Sequence, residues 1–244
     1  MIGDWIVESQ QKKILLIVPA YNEVDNIERV LETLINKFPQ YDYVVINDGS
    51  TDGTGRLCIE RGYQVINLPI NLGIGGAVQT GYMYALKNGY EYAVQLDGDG
   101  QHDAAYVETL IKPLMEGSAD VVVGSRFLEK EGFQSSRSRR IGINILSRLI
   151  WICTGKHILD VTSGFRAVNQ RFIAIYAEDY PSDYPEPEAI ITAVMHKGRV
   201  AEVPVVMKER EGGISSINFR KSIYYMIKVT LAILIKRLSY GVRR

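Results

Sequence analysis

Asp97, Gly98 and Asp99 follow the apolar run Tyr92-Ala93-Val94-Gln95-Leu96. That run reads as a buried strand, Tyr92 to Asp97, bounded by glycines. Strand side chains alternate faces, so carboxylates at i and i+2 converge just beyond the sheet edge. Converging carboxylates repel unless a cation sits between them. Mg²⁺ and Mn²⁺ favour oxygen ligands, and a partly hydrated Mg²⁺ often completes its shell with substrate phosphates. The pattern points to a metal held against a diphosphate. Gln101, His102 and Asp103 follow at once and add polar groups. A plain polar strand-to-loop turn would also contain these residues, so the rest of the chain has to decide.

The chain must first be able to build such a sheet. Its 244 residues suit one α/β domain, and 46% hydrophobic residues supply a sizeable core. The formal net charge of zero argues against a nucleic-acid partner. Charge is nevertheless uneven. Arg126, Lys130, Arg137, Arg139, Arg140 and Arg148 face only Glu129 and Glu131 in their stretch, and no acid follows Ile217. The second half therefore prefers an anionic partner. Cys58 and Cys153 stand in no metal or redox spacing, which fits a reduced, cytosolic protein. Met1 to Gln11 lacks the charged start and apolar core of a secretory signal.

Strands are expected at Lys13–Pro19, Tyr43–Asn47, Tyr63–Leu68, Tyr92–Asp97 and Asp120–Gly124. Helices are expected at Asn22–Phe38, with Asn22 as cap, and at Gly73–Asn88 and Ala104–Glu116. This alternation predicts a mostly parallel sheet with helices on both faces. Such sheets bind ligands at the carboxyl ends of their strands. Pro19 to Glu23, Asp48, Asp97, Asp99 and Arg126 all fall at those ends. Further on, Ile141–Ile152, Asn169–Ala177 and Glu188–Lys197 read as helices, and Arg199–Met207 as a strand. The prolines of Tyr180–Pro187 read as a turn.

Ser222 to Leu238 is apolar but shorter than the roughly 20 residues that span a bilayer. On a helix, Lys221, Lys228 and Lys236 fall on one side. That pattern suits a helix lying in a membrane interface with its cations toward headgroups. A helix packed on the domain, or on a membrane partner, is the alternative. The expected division is residues 1–217 as the main domain and 218–244 as a membrane- or partner-associating amphipathic helix.

Six segments in order now carry a resemblance: Val18-Pro19-Ala20-Tyr21-Asn22-Glu23; Asn47-Asp48-Gly49-Ser50-Thr51-Asp52-Gly53-Thr54; Asn71-Leu72-Gly73 with Gly76-Ala77; Asp97-Gly98-Asp99-Gly100-Gln101-His102; Val123-Gly124-Ser125-Arg126-Phe127; and Asp160-Val161-Thr162-Ser163-Gly164-Phe165-Arg166. The chain resembles family 2 glycosyltransferases of the GT-A fold. The last two segments resemble the branch of dolichyl- and polyprenyl-phosphate sugar synthases, including bacterial undecaprenyl-phosphate glycosyltransferases. The likeness covers roughly residues 13 to 217.

The resemblance implies an α/β GT-A domain that uses Mg²⁺ or Mn²⁺. It implies that Pro19, Ala20, Tyr21 and Glu23 meet the base and ribose of a nucleotide-sugar, and that Asp48 accepts from the base N–H. Gly76 would let main chain approach the ligand. Asp97, Asp99 and Gln101 would hold the metal. Arg126 would meet phosphate, Arg139 or Arg140 the acceptor phosphate, and Arg166 and Arg210 the donor side. Each has a bland counterpart: Glu23 as a first-turn carboxylate, Asp48 as a turn residue, the glycines as packing, Arg166 as a structural ion pair. The family often has a Lys after the Ser of the Arg-x-x-Gly-x-Ser segment, but Ser216 and Ile217 follow Ser215 here.

The implied reaction is inverting sugar transfer. A hydroxyl acceptor needs a general base. A lipid monophosphate already carries about −1.5 to −2 charges at pH 7 and needs cations instead. The cluster Arg126, Arg137, Arg139 and Arg140 and the basic apolar tail favour polyprenyl phosphate as acceptor. UDP-glucose or UDP-N-acetylglucosamine is the expected donor. Glu186 or Glu188 as a base would keep a transferase that extends a lipid-linked or cell-surface glycan open. The intact Asp97/Asp99 pair argues against a non-catalytic binding subunit. The expected location is the cytoplasm, peripheral at the inner face of the cell membrane. Family members often carry C-terminal spans, so a separate integral membrane partner is expected.

Overall fold

The computed structural model describes residues 13–129, 131–134, 137–182, 185–208 and 219–242. Strands β1 (Ile14–Ala20), β2 (Asp42–Asn47), β3 (Val65–Asn67), β4 (Tyr92–Gln95), β5 (Val121–Ser125), β6 (Arg166–Asn169) and β7 (Val200–Pro204) form one sheet. Their order is β3-β2-β1-β4-β6-β5-β7. Pairing is parallel except at β6, which runs antiparallel between β4 and β5. This matches the expected GT-A-like α/β architecture.

β1 explains why the apolar runs are continuous. Leu16 and Val18 face one layer, where helices α1 (Ile27–Lys37) and α4 (Val107–Met115) pack. Leu15 and Ile17 face the other, where α3 (Gly73–Lys87) and α6 (Gln170–Glu178) pack. A strand covered on both faces has no polar side to alternate with. α3 comes so near β1 that a Cβ on Gly81 would lie 2.3 Å from Ile17. The short α2 (Thr54–Glu60) follows β2.

A third core joins α5 (Arg137–Thr154), α7 (Pro185–Met195) and α8 (Phe219–Val242) through Ile143, Leu146, Ile150, Ile190, Ile191, Val229 and Ile233. The expected boundary at 217/218 lies outside the described residues. α8 packs on the domain with Val229 and Ile233 and leaves Ile227, Leu231, Leu234 and Ile235 exposed. The lysines were expected on one side of this helix, toward headgroups. Lys236 turns back to Asp179 at 3.5 Å, Lys228 is half-buried, and the side chain of Lys221 is outside the described residues.

Several boundaries differ for local reasons. α1 begins at Ile27, not Asn22, because Asn22 takes a left-handed conformation (φ 55°). Its Oδ1 accepts from the Thr51 N–H, tying the loop after β1 to the loop after β2. α7 begins at Pro185 rather than Glu188. A proline fits the first helical position because its missing N–H would have no intrahelical partner there. The last three residues of the expected turn, Pro185 to Pro187, are thus the start of a helix, with Glu186 on it.

Candidate active site

Beyond the carboxyl ends of β1, β2 and β4 lies a cavity of about 460 Å³. Pro19, Ala20, Tyr21, Glu23 and Asp48 line it with Asn71, Gly73, Ile74 and Ala77. Asp97, Gly98, Asp99, Arg139, Thr162, Gly164 and Glu186 complete the wall.

The aspartate pair reaches this place differently from the expectation. β4 ends at Gln95, so Asp97 and Asp99 stand on a turn rather than on alternate positions of a strand. The turn is held by its own groups. Asp97 N–H donates to Nδ1 of His102 at 3.1 Å, and Gln101 N–H donates to Oδ1 of Asp99 at 3.0 Å. Gly100 supplies the positive φ of 80° that closes it. Gly164 comes close behind Asp97: a Cβ there would lie 3.3 Å from both carboxylate oxygens.

Two aspartates on one cavity wall form a hard oxygen donor set, which fits Mg²⁺ or Mn²⁺. Gln101 is not part of that wall. Its Nε2 donates to the Lys208 carbonyl at 3.3 Å, and its own carbonyl accepts from Lys208 N–H.

The neighbouring wall uses its carboxylates twice over. Oδ1 of Asp48 accepts from Leu72 N–H at 2.7 Å, fixing the turn that starts α3. Oε2 of Glu23 accepts from Nδ2 of Asn26 at 2.8 Å, just before α1. Both side chains therefore hold loops as well as face the cavity. Gly76 does not face it. A Cβ there would lie 2.6 Å from Cβ of Leu72, so the glycine serves packing at the helix start.

The arginines divide. Arg126 was expected at phosphate, but it is buried in a two-pronged pair with Asp160, both contacts at 2.7 Å. It also meets Thr162 Oγ1 at 3.2 Å, so it braces a residue of the cavity wall. Arg166 was expected on the donor side, but it is 1% exposed. Its guanidinium donates to the carbonyls of Ser163, Glu186 and Val161. It joins the turn before β6 to the start of α7. Arg140 lies over the ring of Phe127 at 3.3 Å, and burial lowers its pKa. Arg139, one residue earlier on α5, lines the cavity. Between the two candidates for the acceptor phosphate, the geometry favours Arg139. Arg210 lies outside the described residues.

Reading by residue type gave Asp160, Thr162, Gly164 and Asn71 no role, although all sit in quoted segments. Their signal was membership of those segments. Glu186 was named, and it is the member of the Glu186/Glu188 pair on the wall. Burial pushes its carboxyl pKa up, with the Arg166 charge opposing.

A sequence profile of glycosyl transferase family 2 matches residues 15–175. The chain belongs to that family. Relatives include the polyprenol monophosphomannose synthase of Mycolicibacterium smegmatis, 29% identical over 87% of this chain and 85% of that protein. Another is the UDP-N-acetylglucosamine–dolichyl-phosphate N-acetylglucosaminyltransferase of Methanococcus voltae, 30% identical over 80% and 85%. Among solved structures, the glucosyl-3-phosphoglycerate synthase of Mycobacterium tuberculosis superposes with a TM-score of 0.72. It is 19% identical, over 93% of this chain and 80% of that one. That structure contains Mn²⁺, UDP-glucose and phosphoglyceric acid. The fold is shared. The family makes this chain a glycosyltransferase whose relatives include polyprenyl-phosphate sugar transferases.

Proposed function

We propose that this family 2 enzyme transfers a sugar, with inversion, from a UDP-sugar to polyprenyl phosphate, using Mg²⁺ or Mn²⁺ at Asp97 and Asp99. The observation that carries the reading is the cavity wall itself. It sets Asp97 and Asp99 beside the Pro19–Glu23 and Asp48 loops, with Arg139 on the same wall. When bound, the metal supplies Lewis-acid stabilisation of the departing diphosphate. The residues of the chain do the rest. The loops after β1 and β2 hold the nucleotide. Arg139 holds the acceptor phosphate, whose charge makes it a nucleophile without proton removal.

A lipid acceptor is supported by the outer faces of α5 and α8. Ile141, Ile145, Trp151 and Ile152 are exposed on α5, opposite its buried Ile143, Leu146 and Ile150. Ile227, Leu231, Leu234 and Ile235 are exposed on α8. Neither helix contains an acid, and both contain Arg or Lys. An apolar and basic face of this kind suits the surface of an anionic bilayer. Among the described residues, no helix is long and apolar enough to cross a membrane. The enzyme is placed by this reading at the cytoplasmic face of the membrane, with an integral partner to receive the lipid product.

Glu186 on the wall favours a second reading, a hydroxyl acceptor with Glu186 as base. One experiment separates the two. The protein is incubated with Mn²⁺, a panel of nucleotide sugars, and either undecaprenyl phosphate or a lipid-linked glycan, and products are weighed by mass spectrometry. A glycosylated lipid monophosphate supports the first reading; an extended glycan alone overturns it. For the surface, a Trp5→Phe background leaves Trp151 as the only tryptophan. Its emission shifts to the blue with phosphatidylglycerol vesicles if the α5 face docks, and stays unchanged if it does not.

A further inference from the structure

His102 stands behind the aspartate turn with its side chain 4% exposed. The ring stacks on Phe165, centroids 4.8 Å apart and planes 11° from parallel. Its Nδ1 accepts the main-chain N–H of Asp97 at 3.1 Å. A ring nitrogen that accepts carries no proton, so the neutral ring bears its proton on Nε2. Nε2 lies 3.7 Å from Oδ2 of Asp97. That exceeds a hydrogen bond, but the N–H dipole lies close to the carboxylate. On the other oxygen, Nε2 of Gln95 approaches Oδ1 at 3.4 Å. Gly164 leaves just enough room for the carboxylate between them.

We infer that His102 is a positioning residue: it fixes the main chain and the carboxylate of Asp97 for a divalent cation, in one tautomer, without ligating the cation itself. The inference rests on reading Asp97 as a metal-facing carboxylate. The physical need comes from the fold. β4 stops at Gln95, so no strand ladder restrains Asp97. A loop carboxylate must be set by its neighbours, and outer partners of metal ligands commonly matter about 10- to 100-fold in affinity. His102 is not a wall residue, and its unprotonated nitrogen is already engaged by main chain.

Two measurements test this. The chain has three histidines, so long-range ¹H–¹⁵N spectra of the metal-free protein resolve each ring, with His102 identified by its loss in His102→Asn. The expected state is Nε2–H; an Nδ1–H tautomer overturns the inference. Mn²⁺ binding is then titrated by electron paramagnetic resonance without donor or acceptor. His102→Phe keeps the stacking but loses both nitrogens, and should weaken Mn²⁺ about 10- to 100-fold. His102→Asn can accept from Asp97 N–H through Oδ1 and should recover part of the loss. If His102→Phe does not fold, His102→Asn with a wild-type melting temperature must still bind Mn²⁺ more weakly than wild type. Wild-type affinity in folded variants overturns the inference. Asp97→Asn is titrated beside them. If it loses Mn²⁺ while the His102 variants do not, only this inference fails; if it too binds normally, the metal reading fails as well.

Discussion

The acidic and basic sides of the cavity are built on different principles. Glu23, Asp48, Asp97 and Asp99 all line it, and at least Glu23, Asp48 and Asp99 also secure the loop they stand on. Arg126, Arg140 and Arg166 turn away, to a carboxylate, an aromatic face and main-chain carbonyls. Among the described residues, Arg139 is the arginine on the wall. A short carboxylate goes where its main chain goes. An arginine has a long stem and five donors, and once buried it must find acceptors wherever they are. Carboxylates at strand ends therefore report the site directly, whereas clustered arginines report mostly the need for partners.

This contrast can be broken by mutation. The largest effect is expected from Asp99→Asn. Losing one charge of the proposed metal site should remove several kcal/mol of transition-state stabilisation, a fall in turnover of about 10³-fold or more, with circular dichroism unchanged. Near wild-type turnover at saturating Mn²⁺ would strip the acidic wall of its assigned role.

Arg126→Met should act on the fold instead. It leaves Asp160 charged and fully buried, which costs about 3–5 kcal/mol. Thermal melting should fall by roughly 10 °C, while the folded enzyme keeps its KM for donor. A stable variant with a raised KM would return Arg126 to the ligand.

Arg139→Ala should have a smaller effect than either. It should leave the melting temperature within a few degrees and raise the KM for polyprenyl phosphate about 10- to 100-fold, the worth of one charge-assisted hydrogen bond. An unchanged KM would mean that the acceptor phosphate is held elsewhere.

Glu186→Gln is the smallest. With a phosphate acceptor, turnover should fall less than tenfold, since no proton must be removed. A loss of 10²–10⁴ would mark a general base. The same variant has a signature in stability. Burial raises the Glu186 pKa above its ordinary 4.5, so the folded state binds the proton more tightly than the unfolded one. Wild type should lose stability as pH rises from about 4.5 through the raised value, and Glu186→Gln should not. Parallel melting curves across pH 4 to 7 would contradict this burial.

Much of the molecule was legible because its signals are local. The continuous apolar runs of β1, β2, β4 and β5 follow from a sheet covered on both faces. The placement of Asp48 and the Asp97/Asp99 pair follows from where those runs stop. Even there the aspartates share a wall through a turn set by His102, Gly100 and Asp99, not through strand alternation.

What the sequence determined by itself was the layer architecture, the family segments and the acidic wall, each encoded within a few consecutive residues. Only the tertiary structure decided which arginine faces the cavity, that Glu186 rather than Glu188 stands on its wall, and that α8 buries Val229 and Ile233 while pairing Lys236 back to Asp179. Those outcomes depend on partners 34 residues away, as for Arg126 and Asp160, or further. A long polar side chain is placed by the nearest acceptors in space, and local pattern carries no record of them.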